Sequence, residues 1–359
     1  MKCGLTKGIT ASCLFLIALS WCIHQAYAIP PAPEVEAAGW DDIFIPRRAI
    51  PYQLLGINAF ANDQRFGSIR AQYNEVRSTL RLSRVRILMH WNDGIQSSPT
   101  AQPFFGFYDE LVNSLPNGVQ AVIIMVGVPS WMNDSRNWIG NNPRKTFVEK
   151  WVKPVASRYG RNRRVEAFQV WNEPNNPSFP ENATLKVRTS PENYVELLAL
   201  AHNTIRAAAP RKVIVNGATT AIAQNFPSTL NYNKEMIKAG ALSFVDIFAI
   251  HYYGKQPERV LVPGGIGEFL RGIPKPLWVT ESGVQGISNQ REYAERIFPF
   301  LKEQIPNLRR IYLYQFTEAT PATSTYGLRN LTPGLTLSDL YITLRDRGRT
   351  RSKKGFADR

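Results

Sequence analysis

Short apolar runs alternate with longer amphipathic stretches along this 359-residue chain, which predicts an α/β protein, a single (β/α)8 TIM barrel. Three observations carry that expectation. Eight apolar runs start about 30 to 50 residues apart, several are unbroken, as in Ala121-Val122-Ile123-Ile124-Met125-Val126, and helix-like stretches fill the intervals. Unbroken runs mean burial on both faces, as in a parallel sheet covered by helices. An open doubly wound sheet would want a glycine-rich phosphate loop after the first strand. Leu55-Gly56-Ile57-Asn58-Ala59 does not supply one, and Gly264-Gly265-Ile266-Gly267 has the wrong spacing and context.

In chain order, residues 1–28 read as a secretory signal peptide. Lys2 and Lys7 precede an uncharged, mostly apolar run from Gly8 to Trp21, and Ala26-Tyr27-Ala28 offers a cleavage site before Ile29. The run is too short to span a bilayer, which takes roughly 20 residues. Secretion or release to a periplasm is therefore expected, with no stable membrane insertion once the signal is removed. Residues 29–50, with Pro30, Pro31 and Pro33, form an extended lead-in. The barrel is expected over 51–344, with strands at 54–60, 83–90, 119–126, 165–171, 212–216, 244–251, 276–280 and 310–316. Helices are expected at 69–82, 104–115, 146–159, 191–209 and 289–303. Pro191 suits a first helical turn, with Ser190 as its cap. Residues 345–359 read as a basic, disordered tail.

Composition excludes several chemistries. The three cysteines, Cys3, Cys13 and Cys22, all fall in the signal segment, so a disulfide scaffold, a zinc-thiolate site and a cysteine nucleophile are out. His90, His202 and His251 lie far apart without ligand spacing, so no metal and no cofactor is expected. Asn133, Asn182 and Asn330 head formal glycosylation sequons. The chain carries +15 at neutral pH. Removing Lys2, Lys7 and the net five positive charges of the tail leaves +8, which points to an acidic glycan or an anionic cell envelope nearby. Nucleic acid is not the expected partner: only the charge suggests it, and no binding motif accompanies it.

Two glutamates stand directly after buried runs, at what should be the mouth of the barrel. The fourth strand runs into Val170-Trp171-Asn172-Glu173-Pro174-Asn175, and the seventh ends Leu277-Trp278-Val279-Thr280-Glu281-Ser282-Gly283. In an α/β barrel the ends of the strands are where catalytic groups gather. A 108-residue separation suits the three intervening units.

Trp171-Asn172-Glu173-Pro174 followed by Trp278-Val279-Thr280-Glu281 resembles clan A of the retaining glycoside hydrolases, most of all family 39, with the family 5 cellulases close behind. The resemblance spans roughly residues 50–344. It implies a (β/α)8 barrel that hydrolyses O-glycosidic bonds of a poly- or oligosaccharide, with Glu173 as acid/base and Glu281 as nucleophile. Retention needs two carboxyl groups about 5–5.5 Å apart, one protonated and one ionised. Trp171 and Pro174 give Glu173 apolar neighbours that favour its neutral form.

Supporting residues follow from the same comparison. Arg86 sits inside the apolar run Val85-Arg86-Ile87-Leu88, where a guanidinium needs a carboxylate partner; by resemblance that partner is Glu281. His251 and Tyr253 lie two apart on the sixth strand and so share a face. The resemblance gives Tyr253 a hydrogen bond to the nucleophile and Asn172 a contact to the sugar 2-hydroxyl, and leaves His251 as a substrate or network residue or a hydrogen-bonded structural histidine. Trp91, Trp131, Trp138 and Phe60 follow the first three strands as candidate sugar platforms. The sequence departs from the clan in one place. Where members carry a tryptophan after strand eight, this chain reads Tyr314-Gln315-Phe316-Thr317-Glu318, so Gln315 or Phe316 fills that position and Glu318 is a third strand-end acid. The competing reading is a non-catalytic polysaccharide-binding barrel, against which both acids and their supporting residues speak.

Overall fold

The computed structural model describes residues 43–347 except Phe60 and Pro333, so residues 1–28, which read as a signal peptide, most of the expected lead-in and residues 348–359 lie outside the described part. Eight parallel strands form the barrel: β1 Leu55–Asn58, β2 Arg84–His90, β3 Gln120–Val126, β4 Val165–Val170, β5 Val213–Asn216, β6 Phe248–Tyr253, β7 Leu277–Gly283 and β8 Leu308–Leu313. They pair in the order β5-β4-β3-β2-β1-β8-β7-β6. Each expected strand is present, with its ends displaced by up to four residues. The sixth is the most displaced, because Ala241–Phe244 turns as a 3-10 helix before the strand begins.

The ring closes between β5 and β6 through little backbone pairing. Val215 and Ile247 form a single parallel bridge. Beyond it, the side chain of Asn216 takes over the role of a backbone partner: Ala249 N donates to Oδ1 at 2.7 Å, and Nδ2 donates to Ala249 O at 3.0 Å. An amide side chain reproduces the donor and acceptor of a peptide, so closure is achieved without lengthening β5.

Helices Ile69–Ser78, Gly106–Asn113, Pro191–Ala208 and Gln290–Gln304 fall where the sequence predicts. Ser190 caps the third of these by accepting from Asn193 N, with Pro191 in its first turn. The stretch expected at 146–159 starts three residues earlier and contains a π-helical turn, Val148–Val152, between Pro143–Phe147 and Lys153–Tyr159. Helix Ser228–Lys238 escaped the periodicity argument because it buries Thr229 and Asn233 alongside Leu230 and Met236. After β8 the chain builds a small rim sheet of β9 Thr317–Pro321, β10 Arg329–Thr332 and β11 Thr336–Leu337, where the sequence predicts no element beyond the eighth strand. Helix Asp339–Asp346 then runs two residues into the segment read as tail.

Side chains inside the barrel alternate along each strand, as period two requires. Ala167, Ala249, Trp278 and Tyr312 fill the lower interior, and Arg310 lies 4.1 Å from the Trp278 ring centroid while pairing with Glu166 across the floor. Above them the interior becomes polar. Asn182 and Asn330 are fully buried, so of the three sequons only Asn133 is exposed.

Replacing Asn216 with alanine leaves the N–H and C=O of Ala249 buried without partners, at a cost of about 2–4 kcal/mol. Urea denaturation should show that loss as a lower midpoint; an unchanged midpoint would mean that the ring closes without Asn216.

Candidate active site

The polar upper interior centres on Arg86 of β2, which is only 2% exposed. Its Nη1 donates to Glu281 Oε1 and to Asn58 Oδ1, both at 2.7 Å. Its Nε reaches Gln169 Oε1 at 2.7 Å, and Nη2 reaches Asn172 Oδ1 at 2.9 Å. Four strands, β1, β2, β4 and β7, are thereby tied together through one guanidinium. The bond to Asn172 also fixes that amide's orientation, leaving its Nδ2 as the free donor.

Glu281, on β7, receives a second donor on its other oxygen, Tyr253 Oη at 2.9 Å. Burial raises the Glu281 carboxyl, but the fields of His251 and Arg86 and the hydrogen bonds of Arg86 and Tyr253 outweigh it. The net effect holds the carboxyl below the ordinary range. Burial and the adjacent Glu281 charge push the Tyr253 phenol well above its usual value, so it acts as a donor.

Glu173 lies three residues beyond β4 on a strained turn. Trp171 (φ 74°) and Glu173 (φ 42°) both adopt left-handed backbone, which costs on the order of 1–3 kcal/mol for a residue with a Cβ. Surrounding bonds enforce it. Glu173 N donates to Ala218 O at 2.7 Å, Asn182 Nδ2 donates to Glu173 O at 2.8 Å, and Trp171 Nε1 donates to Asn182 Oδ1 at 2.7 Å. Gly217 makes the approach of β5 possible, since a Cβ there would lie 2.7 Å from Trp171 O. The Glu173 carboxylate accepts from Asn176 Nδ2 at 2.6 Å on one oxygen, and its other oxygen lies 3.1 Å from His251 Nδ1. Among the described residues no guanidinium pairs with it.

His251 stands between the two acids. Its Nε2 is 3.5 Å from Glu281 Oε1 and makes no hydrogen bond. Oxygen atoms of Glu173 and Glu281 and a ring nitrogen of His251 all lie within 4.8 Å of one another. These three groups are near enough to hold a cation, but Arg86 already supplies positive charge to Glu281. The spacing fits the short separation of retaining glycosidases rather than the roughly 6.5–9.5 Å of inverting ones.

Asn172, Glu173, Arg86, His251, Tyr253 and Glu281 thus converge as the sequence anticipates. The aromatic residues fare differently. Trp91 is fully buried, stacked on Trp151 and edge-on to Trp131, with Nε1 bonded to Gln96, so it is a core residue and not a platform. Trp131 and Trp138 are half-buried, their Nε1 groups committed to the carbonyls of Gln96 and Met132. Phe60 falls outside the described residues. Phe316 is buried against Arg329, leaving Gln315, held by backbone bonds to Tyr326 and Leu328, at the strand-eight position. Glu318 is spent on Thr325 Oγ1 and on the N–H groups of Tyr326 and Gly327.

Sequence reasoning missed Asn58 and Gln169, the other two acceptors of Arg86. Their signal was a polar residue inside an apolar run, the same that exposed Arg86 itself. Tyr314 and Tyr326, ring centroids 6.0 and 5.6 Å from that of Tyr253, were also missed. So was the His90–Glu181 contact beside a cavity of about 30 Å³ that Asn172 and Trp171 help to line.

A carboxyl held below its unfolded value adds stability that is present at neutral pH and is lost as pH falls through the folded value. In a carboxyl-carbon NMR titration Glu281 should therefore titrate below the ordinary glutamate value of about 4.3. Tyr253→Phe, which removes one donor, should move that titration upward; no movement would mean that Tyr253 does not stabilise the charge.

The cellulase family model (glycosyl hydrolase family 5) matches residues 48–308. No protein with a curated description matches. Solved structures similar to this chain include a family 39 glycoside hydrolase from Bacteroides cellulosilyticus WH2, at 15% identity and TM-score 0.59, covering 84% of this chain and 64% of its own. A family 39 β-xylosidase from Caulobacter crescentus follows at 20% and 0.57, covering 84% and 72%. The catalytic domain of a family 30 xylanase C from Talaromyces cellulolyticus is similar at 13% and 0.55, covering 84% and 75%. At those identities the likenesses speak for the fold alone. The family model draws on most of the barrel and bears out the resemblance to a clan A glycoside hydrolase, with family 5 one of the two families that the sequence resembles. The chain belongs to the cellulase family, glycosyl hydrolase family 5, of clan A.

Proposed function

We propose that the protein is an exported retaining glycoside hydrolase that cleaves O-glycosidic bonds of a poly- or oligosaccharide by double displacement. Glu173 is the acid/base and Glu281 the nucleophile. The observation that carries this reading is the closeness of two buried carboxyl groups in unlike surroundings: Glu281 is held by a guanidinium and a phenol, and Glu173 by an amide and an imidazole.

In the first step a Glu281 oxygen attacks the anomeric carbon while Glu173 gives its proton to the departing glycosidic oxygen. A glycosyl ester on Glu281 results, with Glu173 as carboxylate. In the second step Glu173 takes a proton from water, whose oxygen attacks the same carbon, and Glu281 departs as carboxylate. Arg86 and Tyr253 favour that departure because they stabilise the charge that returns to Glu281. Asn172, its amide set by Arg86, presents an N–H to the 2-hydroxyl, a contact that strengthens as positive character grows at the anomeric carbon. Gln315, Trp131 and Trp138 are the rim residues within this proposal.

Glu173→Ala should lower turnover by about 10²- to 10⁴-fold, least for substrates whose leaving group needs no proton. Glu281→Gln should abolish it while the fold is retained. NMR of the first-formed product should show the anomeric configuration of the substrate; inversion would overturn the mechanism. Export is tested by the N-terminus of the mature protein, which should be Ile29.

A further inference from the structure

The end of the barrel opposite Glu173 and Glu281 is built from the segments that lead into the strands. Arg161, Arg163 and Arg164 lead into β4, Arg211 leads into β5, Arg84 opens β2, and Arg309 is the second residue of β8. Contacts join these segments. Lys212 Nζ donates to Asn162 O at 2.7 Å, and Arg164 Nη2 reaches Asn117 Oδ1 at 3.1 Å. None of the six arginines forms an ion pair among the described residues; Arg84, Arg164 and Arg309 bond only to carbonyl or amide oxygens.

The nearby acids are already taken, Glu166 by Arg310 and Asp246 by Arg206. Basic residues in last helical turns, such as Arg158 and Arg206, are explained by the helix dipole and by their partners Asp109 and Asp246. The loop arginines have neither explanation. Burial, and to a lesser degree the neighbouring Arg211, hold the Lys212 ammonium below the usual lysine value, against the field of Glu166.

Three further features describe the partner. The six guanidinium groups come from strand starts spread around more than half the ring, so they form a broad array rather than a groove. None of the exposed large apolar residues, Phe44, Phe104, Leu261, Leu335 and Ile342, lies in these segments, and no helix among the described residues could cross a membrane. Arg347, the last described residue, donates to Arg81 O just before β2, so residues 348–359, with five bases and one acid, set out from this same end. Guanidinium forks match phosphate oxygens in pairs. A polybasic array beside a polybasic segment suits an anionic leaflet.

We propose that this face docks the enzyme peripherally on an anionic phospholipid surface through the lipid phosphates, with the catalytic mouth turned away from the bilayer. The test is cosedimentation of the full chain with phosphatidylcholine vesicles, with and without phosphatidylglycerol, at low and high salt. Binding beyond that to phosphatidylcholine alone should require phosphatidylglycerol and vanish at high salt. The triple variant Arg161→Glu, Arg163→Glu, Arg211→Glu should weaken it by at least about tenfold. Hydrolysis of a soluble substrate and the circular dichroism spectrum should stay unchanged. The glutamine version of the same triple variant should give a smaller loss in the same direction, and serves where charge reversal impairs folding. The proposal fails if the variants bind anionic vesicles as the parent does, or if phosphatidylglycerol adds nothing. It fails equally if the parent ignores vesicles and these arginines govern binding to a soluble acidic polysaccharide or to duplex DNA.

Discussion

The bond between Arg86 and Glu281 is the constraint around which the upper half of the barrel is arranged. A guanidinium at 2% exposure is tolerable only when its donors are satisfied and its charge is met. Here the charge is met by Glu281, and three of the other four N–H groups go to Asn58, Gln169 and Asn172. Removing the acid alone would leave a buried cation, a loss of about 3–5 kcal/mol in comparable pairs. The same arrangement gives the site its chemical asymmetry. Arg86 favours the ionised form of Glu281, while Glu173, just beyond β4, meets only an amide and an imidazole.

The second carboxyl group is placed by different means. β4 stops at Val170, and the next three residues include two in left-handed backbone, a conformation the chain would not choose unaided. Asn182, from the short helix Pro180–Thr184, holds it by bonding to Trp171, Glu173 and Asn176. Strain at Glu173 is thus supported by the fully buried amide of Asn182. Asn182 also explains why a formal sequon can sit where no glycan could be attached.

The sequence made the repeat, the strand-end acids and Arg86 legible because each is a local contradiction: a charge in an apolar run, or an acid directly after one. Period two put Tyr253 and His251 on one face of a strand, and the resemblance to clan A implied the partner of Tyr253. What stayed illegible depends on distant parts of the chain. Asn216 reads as an ordinary strand-end polar residue until β6 is beside it. Asn182 lies nine residues beyond Glu173 and reads as surface. Trp91 looked like a platform because it follows a strand, yet packing against Trp151, sixty residues on, decides its burial. The rim sheet after β8 stayed illegible because its three strands are only two to five residues long and carry no unbroken apolar run.

Trapping with an activated 2-deoxy-2-fluoro glycoside of a sugar that the enzyme hydrolyses tests the central claim most directly, because the fluorine slows both formation and breakdown of the glycosyl ester and a good leaving group restores only its formation. Peptide mass spectrometry should find the sugar attached to Glu281 and nowhere else. Label on Glu173 or Glu318, or turnover of such a substrate with no covalent species on any carboxylate, would contradict the account.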